Sequence, residues 1–358
     1  MIPYLLIFLF AFFIYWQRKS NNIQMYYFFM FACAFMVGSR DMIGGFDVYI
    51  YGEVFEAPMS DIQTGTIFEK GYMLFNYFVR YITNDRYVFF FLCALLTYFL
   101  HGSIIKKTSP LVLFSAFIYF SKFFLMSFIY VRQFLAMGII WLTILYLLKN
   151  KRLIPILLCF LAFTFHRSSI VFVPFIFLYS IKFNKVQLLF LVLITMSIFM
   201  TPIGSFLLKG LAESIEDNKL VVYSQLSAGI NFLYVLEIIL LLFVLIKFSE
   251  DFRKNTNTNF IFNGLILYVL ITIMGLTNAT YIRFGWYYYI FVIIGLPYVY
   301  LYIKNDKAKY FYKLLVFVYF GLMGLRMLFV WDSGDMLPYK AFYIESERKG
   351  MFDYMEYK

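Results

Sequence analysis

Charged residues are scarce in this chain. They make up 14% of its 358 residues, whereas hydrophobic residues make up 63%, and the mean hydropathy is +0.78. A soluble domain carries roughly a quarter charged residues, so this composition excludes a soluble multidomain enzyme. The polar intervals 40–86 and 209–229 and the tail after Trp331 are short, and we expect no appended soluble domain.

Cysteine and histidine are also rare. Cys33, Cys93 and Cys159 all lie in apolar stretches, where they behave as small hydrophobic side chains, and no metal-type spacing connects them. We therefore predict neither a disulfide nor a metal site. Of the two histidines, His101 lies at a predicted helix end and is interpreted as incidental, which leaves His166 as the candidate for chemistry.

The formal net charge of +11 does not indicate nucleic acid binding. That function needs basic side chains clustered on one solvated face, but here they stand singly or in small groups between apolar runs. Such spacing is typical of the loops of a polytopic membrane protein. We expect membrane lipid, and no nucleic acid, among the partners.

The apolar runs predict an all-α polytopic membrane protein with a single integral membrane domain over 1–358. A hydrocarbon core of about 30 Å needs about 20 helical residues. Twelve runs approach this length and are predicted to be transmembrane or partly spanning helices: 2–16, 23–39, 86–105, 111–130, 133–149, 153–165, 169–181, 186–208, 229–248, 259–277, 284–303 and 310–330. The first run has no basic residue before it, so it is interpreted as a retained helix and not as a cleaved signal.

Basic loops predict the orientation of these helices. Lys and Arg accumulate in the cytoplasmic loops of membrane proteins. Alternate loops carry such residues, from Arg18-Lys19 near the start to Lys304 near the end, and these loops contain only three acidic residues. We therefore expect both termini, the loop over 40–85 and the tail over 331–358 to face outward. The tail itself is interpreted as a mobile end; the alternative is that it folds back over the cavity.

Polar residues concentrate in the outward loop. Arg40, Asp41, Asp47 and Glu69 stand there among aromatic residues and glycines. An amphipathic helix on the outer surface is predicted by apolar residues that recur at helical spacing: Tyr72, Phe75, Phe78 and Val79. Such a helix holds the loop over the bundle as a lid; the alternative is an ordinary solvated loop.

Two further polar segments face outward in the first half of the chain. Arg132-Gln133 joins two apolar runs without a turn residue and is interpreted as a polar site, although snorkelling to the lipid headgroups also explains an arginine there. His166 lies at the tip of a hairpin whose limbs, 153–165 and 169–181, have thirteen residues each. Limbs this short reach about 20 Å, so we expect His166 below the membrane surface, in a pocket.

The last outward segment precedes a tyrosine-rich helix. The segment contains Asn278 and Arg283, and Tyr287 follows Arg283 by about one helical turn. An aromatic belt at the membrane interface explains the tyrosines, but it does not explain Arg283.

Taken together, these segments resemble the EpsG family of polysaccharide polymerases, a branch of the Wzy-type enzymes that assemble O-antigens, capsules and exopolysaccharides. The residues that carry the resemblance follow one another over 35–180: Arg40, Gly45, Asp47, Tyr51 and Phe55; Glu69, Gly71, Tyr72 and Asn76; Arg132, Gln133 and Ala136; Phe165, His166, Ser168 and Pro174. Later in the chain only Arg283 and Pro338-Tyr339 are similar. Arg167 departs from the small or apolar residue expected after the histidine.

The resemblance implies an inverting, metal-independent glycosyltransferase with no cofactor. It implies a helical fold similar to other polyprenyl-dependent, GT-C-like transferases, with an outward catalytic cavity, in a bacterial inner membrane and facing the periplasm or cell exterior. The implied substrate is an oligosaccharide linked to undecaprenyl pyrophosphate. A chain-length regulator and a flippase of the same pathway are the implied partners.

The reaction needs cations and a base. The sequence has no Asp-x-Asp pair typical of metal-dependent sugar transferases, so fixed cations must stabilise the departing pyrophosphate. Arg40, Arg132 and Arg283 are assigned to it, because guanidinium groups bind phosphate bidentately without titrating.

His166 is the first choice for the base that deprotonates the acceptor hydroxyl, since its pKa lies near neutrality. Asp47 and Glu69 are the alternatives, because desolvation raises the pKa of a carboxylate. The residues expected to position the sugar are Asp41, Tyr51, Tyr72, Asn76, Gln133, Asn278 and Tyr287.

Other functions stay open on the sequence alone. An O-antigen ligase uses the same donor and similar arginines. A flippase also has about a dozen spans, but it needs polar residues distributed through the membrane depth. A membrane acyltransferase needs inward catalytic residues to meet its cytoplasmic acyl donor.

Overall fold

The computed structural model describes residues 1–57, 68–214, 230, 232–276, 279–330 and 336–344. In these ranges the regular structure is helical, and one isolated β-bridge is present. The α-helices are α1 Ile2–Tyr15, α2 Ile23–Gly38, α3 Phe46–Glu56, α4 Lys70–Arg80, α5 Arg86–Thr108, α6 Val112–Phe123, α7 Val131–Leu147, α8 Leu153–Phe165, α9 Phe175–Leu178, α10 Lys185–Phe199, α11 Pro202–Ser214, α12 Phe232–Lys247, α13 Ser249–Arg253, α14 Thr256–Met274, α15 Ala279–Gly285, α16 Tyr289–Tyr302 and α17 Asp306–Val330. Three 3₁₀ segments are Met126–Phe128, Arg167–Phe172 and Trp286–Tyr288.

The described helices are those of a membrane protein. Four helical segments are long and apolar enough to cross a bilayer: α5, Tyr281–Tyr302, α14 and α17. Shorter apolar helices of 10–17 residues accompany them. The all-α class is therefore confirmed, while the count of twelve spans and the GT-C-like likeness stay predictions.

Side-chain caps explain where several helices begin. The Asp85 carboxylate accepts hydrogen bonds from the amides of Tyr87 and Val88 at 2.7 and 3.1 Å, which starts α5. Asn184 and Gln187 form a reciprocal capping box at the start of α10. Both arrangements satisfy amides that have no partner within the helix.

The chain divides into two compact units. The first comprises residues 1–145, 157–170 and 303–358, and its core is aromatic. Tyr15 of α1 packs against Phe117 of α6 in a tilted arrangement, with ring centroids 4.5 Å apart, and Phe117 stacks on Phe317 of α17 at 5.5 Å. These rings hold the three helices together.

His101 contributes to the same unit as a structural residue. Its ring nitrogens contact the Tyr119 hydroxyl at 2.9 Å and the Phe134 carbonyl at 3.0 Å, and its side chain is fully buried. It therefore ties α5, α6 and α7 together. The interpretation of His101 as incidental to chemistry agrees with this placement.

The second unit comprises residues 146–156 and 171–302, and α14 lies at its centre. Gly264 of α14 meets the Phe291 ring of α16 so closely that an added Cβ would lie 2.1 Å from it. The buried Glu237 carboxylate of α12 accepts a hydrogen bond from Tyr268 of α14 at 2.9 Å. Close helix contact and a paired carboxylate are both expected in a membrane bundle.

Four predicted runs are interrupted. The run 111–130 is α6 followed by a 3₁₀ segment, and the run 169–181 is a 3₁₀ segment followed by the single turn of α9. The run 186–208 divides into α10 and α11, and the run 284–303 contains a 3₁₀ turn before α16. Pro174 and Pro202 stand at two of these breaks, because proline cannot continue a helix that precedes it. The second limb of the hairpin is therefore not a continuous helix.

The outward loop contains two helices, α3 and α4, and residues 58–67 between them lie outside the described part of the chain. The predicted amphipathic helix is α4. Its buried residues are Tyr72, Asn76 and Val79, whereas Phe78 is 59% exposed. Asn76, which the apolar spacing did not include, lies on the buried face of α4.

The tail is docked over residues 336–344, which corrects its interpretation as a mobile end. Arg40 forms a β-bridge with Ala341, the Asp41 amide donates to the Lys340 carbonyl at 2.9 Å, and the Phe342 amide donates to Ser39 at 3.1 Å. These backbone hydrogen bonds fix the tail beside the end of α2. Periodicity cannot reveal such pairing, because a single bridge has no repeat.

Candidate functional site

The centre of the candidate site is Arg132, the second residue of α7. Its Nη1 forms an ion pair with Glu69, and its Nε donates to the Tyr51 hydroxyl at 3.4 Å. The guanidinium also lies over the Phe68 ring, 4.2 Å from its centroid. The side chain remains 15% exposed, so part of its fork of donors is accessible to a ligand.

Glu69 connects three segments. One carboxylate oxygen pairs with Arg132, and the other accepts a hydrogen bond from the Arg167 backbone amide at 3.2 Å. Glu69 is the residue immediately before α4, whereas Arg167 opens the 3₁₀ segment after α8. We call Glu69, Arg132 and Arg167 the clasp, because they hold the loop to the tips of α7 and α8.

Close packing beside the clasp depends on Gly71. A Cβ added there would lie 2.1 Å from the Thr164 hydroxyl and 2.8 Å from the Thr164 carbonyl oxygen. One turn later, the rings of Phe75 and Phe165 pack with centroids 6.0 Å apart. The first turn of α4 therefore rests directly on the end of α8, as only glycine at this position allows.

His166 follows α8 directly and is half-buried. Its Nδ1 lies 2.7 Å from the Ser168 hydroxyl and 3.3 Å from the Ser168 amide. The His166 amide donates to Ala162 at 2.9 Å, which continues the helical hydrogen bonding up to the imidazole. The neighbouring Arg167 amide belongs to the clasp, so His166 lies at the edge of the Arg132 site.

Asp47 lies in the first turn of α3 and is exposed. Gly44 and Gly45 precede it with φ of 133° and 75°, a backbone conformation that favours glycine and sets the entry into the helix. Asp47 is one turn before Tyr51, so the two share a face of α3. Burial raises the pKa of Tyr51, Arg132 opposes this, and the Asp47 charge raises it further.

Tyr72 and Asn76 lie on the buried face of α4, and both are at most 2% exposed. Tyr72 and Asn76 interact with each other through their side chains, and neither makes a hydrogen bond of normal geometry with any other described residue. Burial raises the pKa of Tyr72 well above its usual range. These polar atoms are available to a water molecule or a ligand that enters beneath α4.

Arg40 occupies a different environment from Arg132. Its side chain is 1% exposed, its Nη1 and Nε donate to the carbonyls of Val37 and Ile43 at 2.7 and 3.0 Å, and it lies 4.7 Å from the Phe90 centroid. These contacts hold the turn after α2. In this conformation the guanidinium is closed to a pyrophosphate in solvent.

The remaining predicted site residues are divided between the two units. Asp41 is buried and accepts a hydrogen bond from Tyr87 at 3.1 Å. Gln133, which follows Arg132 in the sequence, is also buried. Arg283, half-buried, and Tyr287, buried, belong to the second unit. Asn278 lies outside the described residues. The first unit thus brings together Arg132, Glu69, Tyr51 and His166 around the clasp.

Sequence reasoning missed two contributors to this arrangement. Phe68 supports the Arg132 guanidinium through its ring, and Ser168 engages His166. Phe68 stands next to Glu69, and Ser168 stands two residues after His166 in the Phe-His-x-Ser pattern. Their adjacency to charged residues is the signal that identifies them.

Comparison with known proteins covers most of the chain. The EpsG family model matches residues 23–341, a range that contains every predicted site residue. No curated protein and no solved structure matches. Because the family model spans far more than half of the chain, this protein belongs to the EpsG family.

Proposed function

We propose that this protein is a polysaccharide polymerase that transfers a growing glycan from undecaprenyl pyrophosphate onto the non-reducing end of a lipid-linked repeat unit. The reaction inverts the anomeric centre and needs no metal ion. The site faces away from the cytoplasm, in the periplasm or at the cell exterior. Family membership and the clasp support this function together.

The observation that carries the proposal is the state of Arg132. Its guanidinium is held by Glu69, Tyr51 and Phe68, yet it keeps 15% of its side chain exposed. An arginine whose rotamer is fixed by several partners loses little entropy when it binds a phosphate. Arg132 is therefore prepared to receive an anionic leaving group.

The chemistry follows from this arrangement. The bond from the sugar to the pyrophosphate breaks, and negative charge develops on the departing phosphate oxygen. Arg132 stabilises that charge through hydrogen bonds in a site partly excluded from water, where such bonds are strong. Glu69 is a positioning residue, because each of its oxygens already accepts a hydrogen bond from the clasp.

Arg40 and Arg283 have different parts in the proposal. Arg40 acts indirectly, because its buried guanidinium holds the turn from which α3 and Asp47 start. Arg283 belongs to the second unit, and its assignment to the pyrophosphate stays a prediction. Tyr51, Tyr72 and Asn76 are proposed to position the sugar on the α3 and α4 side of the clasp.

Reconstitution tests the function directly. A bacterial strain that lacks this chain accumulates its lipid-linked repeat unit, which is extracted and added to proteoliposomes that contain the purified protein and EDTA. We expect chain growth, seen as a ladder on a gel. Transfer to a different lipid would indicate a ligase, and movement across the bilayer without bond formation would indicate a flippase; either result contradicts the proposal.

A further inference from the structure

Two donors converge on one ring nitrogen of His166. The Ser168 amide lies 3.3 Å from Nδ1, and the Ser168 hydroxyl lies 2.7 Å from it. A backbone N–H donates only, so Nδ1 accepts and carries no proton. In the neutral imidazole the proton then resides on Nε2, which makes that nitrogen a hydrogen-bond donor.

The backbone fixes this arrangement. The 3₁₀ segment Arg167–Phe172 starts with amides that have no partner within the segment, as at the start of any helix. Its first amide, of Arg167, donates to Glu69, and its second, of Ser168, donates to His166. Glu69 and His166 thus cap two successive amides, and the tautomer of His166 is a consequence of the fold.

We propose that the Nε2–H of His166 donates a hydrogen bond to the departing pyrophosphate, and that the Asp47 carboxylate is the base. This inference rests on the proposed polymerase function. A base acting through Nε2 needs that nitrogen unprotonated, with Nδ1–H donating to an acceptor. The Ser168 amide opposes that tautomer. His166 therefore adds a second donor beside Arg132.

Asp47 is the carboxylate placed for the base role. Glu69 is held in the clasp through both oxygens, whereas Asp47 is exposed in the first turn of α3. It shares a helix face with Tyr51, and the Tyr51 hydroxyl lies 3.4 Å from Nε of Arg132. The carboxylate is thus about one helical turn from the residue that contacts the pyrophosphate-binding arginine.

In the proposed step, the acceptor hydroxyl gives its proton to Asp47, and its oxygen forms the new bond to the anomeric carbon. The bond from that carbon to the pyrophosphate oxygen breaks, and the electron pair stays on the oxygen. Arg132 and the Nε2–H of His166 bind this oxygen, so neither of them changes its protonation state.

Three variants of His166 separate a donor from a base. The amide nitrogen of His166→Gln takes the place of Nε2 and donates without acting as a base. His166→Asn is too short to reach that place, and His166→Ala has no donor. Turnover of the extracted lipid-linked repeat unit is measured in proteoliposomes, with the thermal transition in detergent as a check on folding.

We expect His166→Gln to keep turnover within about 10-fold of the parent, and His166→Asn and His166→Ala to lose about 100-fold or more, as for removal of one donor to a developing anion. Equal loss in folded Gln and Ala variants overturns the donor role. A parent protein that makes no polymer overturns the proposed function instead, so the two failures are distinct.

The pH profile gives a second readout for the base. Since the base is Asp47, the fall in rate toward acid pH is expected to be the same in His166→Gln as in the parent. Asp47→Asn is expected to lose about 100-fold or more, while Glu53→Gln on the same helix keeps normal turnover. Disappearance of the acid limb in His166→Gln, or normal turnover in Asp47→Asn, contradicts the assignment.

Discussion

At the residue scale, two arginines with the same predicted role have opposite environments. Arg40 is 1% exposed and donates to two backbone carbonyls, while Arg132 keeps 15% of its side chain exposed and pairs with a carboxylate. The first guanidinium stabilises a turn, and the second is available to a substrate. The two residues should therefore respond differently to the same substitution.

Alanine at each arginine tests this difference. Arg132→Ala is expected to lose polymer formation about 100-fold or more, with a smaller fall in the thermal transition than Arg40→Ala, because Arg132 and Glu69 are both partly exposed. Arg40→Ala leaves the Val37 and Ile43 carbonyls unpaired at about 1–3 kcal/mol each, so its transition should fall by roughly 5 °C or more. Thermal melts in detergent and polymer assays measure both. A stable Arg40→Ala, or normal polymer from Arg132→Ala, would contradict the distinction.

The site was predictable from sequence only in part. Arg132, Glu69 and His166 could be proposed because charged residues are rare between apolar runs and each is expensive to place there. The way in which the Arg167 amide brings them together could not be predicted, since a backbone donor has no sequence signature. The tautomer of His166 depends on the Ser168 amide in the same way.

At the element scale, α4 is the part of the loop over 40–85 that packs on α8 and places Glu69 beside Arg167. Its amphipathic pattern was predictable from the spacing of Tyr72 and Val79, although the buried Asn76 and the exposed Phe78 were not. Breaks at Pro174 and Pro202 were also missed, because a continuous apolar run conceals a change of helix type. Docking of α4 relies on the close approach at Gly71.

Gly71→Ala is expected to displace α4. The new methyl group would meet the Thr164 hydroxyl at 2.1 Å and its carbonyl at 2.8 Å, so α4 must shift and Glu69 moves with it. A displacement of about 1 Å at a catalytic site costs about 100-fold in rate. Gly210→Ala is the matched control, since a Cβ there meets no atom of the described residues within 4 Å. Equal polymer yield from the two variants would show that the contact has no role.

At the scale of the whole molecule, the account depends on which side of the membrane the clasp faces. The segment 336–344 is hydrogen-bonded to residues 39–41, so this segment and the start of the loop over 40–85 lie on the same side of the membrane. The alternation of basic loops predicts that this side is not cytoplasmic. Lys307, in the first turn of α17, is predicted to face the cytoplasm.

Cysteine labelling tests the orientation. The three native cysteines are at most 3% exposed, so they give little background. Ile344→Cys, at a position 58% exposed, is expected to react with an impermeant maleimide in intact cells or spheroplasts. Lys307→Cys, also at an exposed position, should react only after the membrane is permeabilised. The reverse pattern would place the clasp in the cytoplasm and contradict the proposed lipid-linked substrate on the outer side.

The most direct test of the central claim is an experimental structure of the protein with undecaprenyl pyrophosphate in a lipid nanodisc. The account predicts density for the pyrophosphate within hydrogen-bonding distance of the Arg132 guanidinium, between the start of α7 and the 3₁₀ segment after His166. Phosphate density bound elsewhere, with the Glu69–Arg132 pair unchanged and no anion near it, would contradict the account.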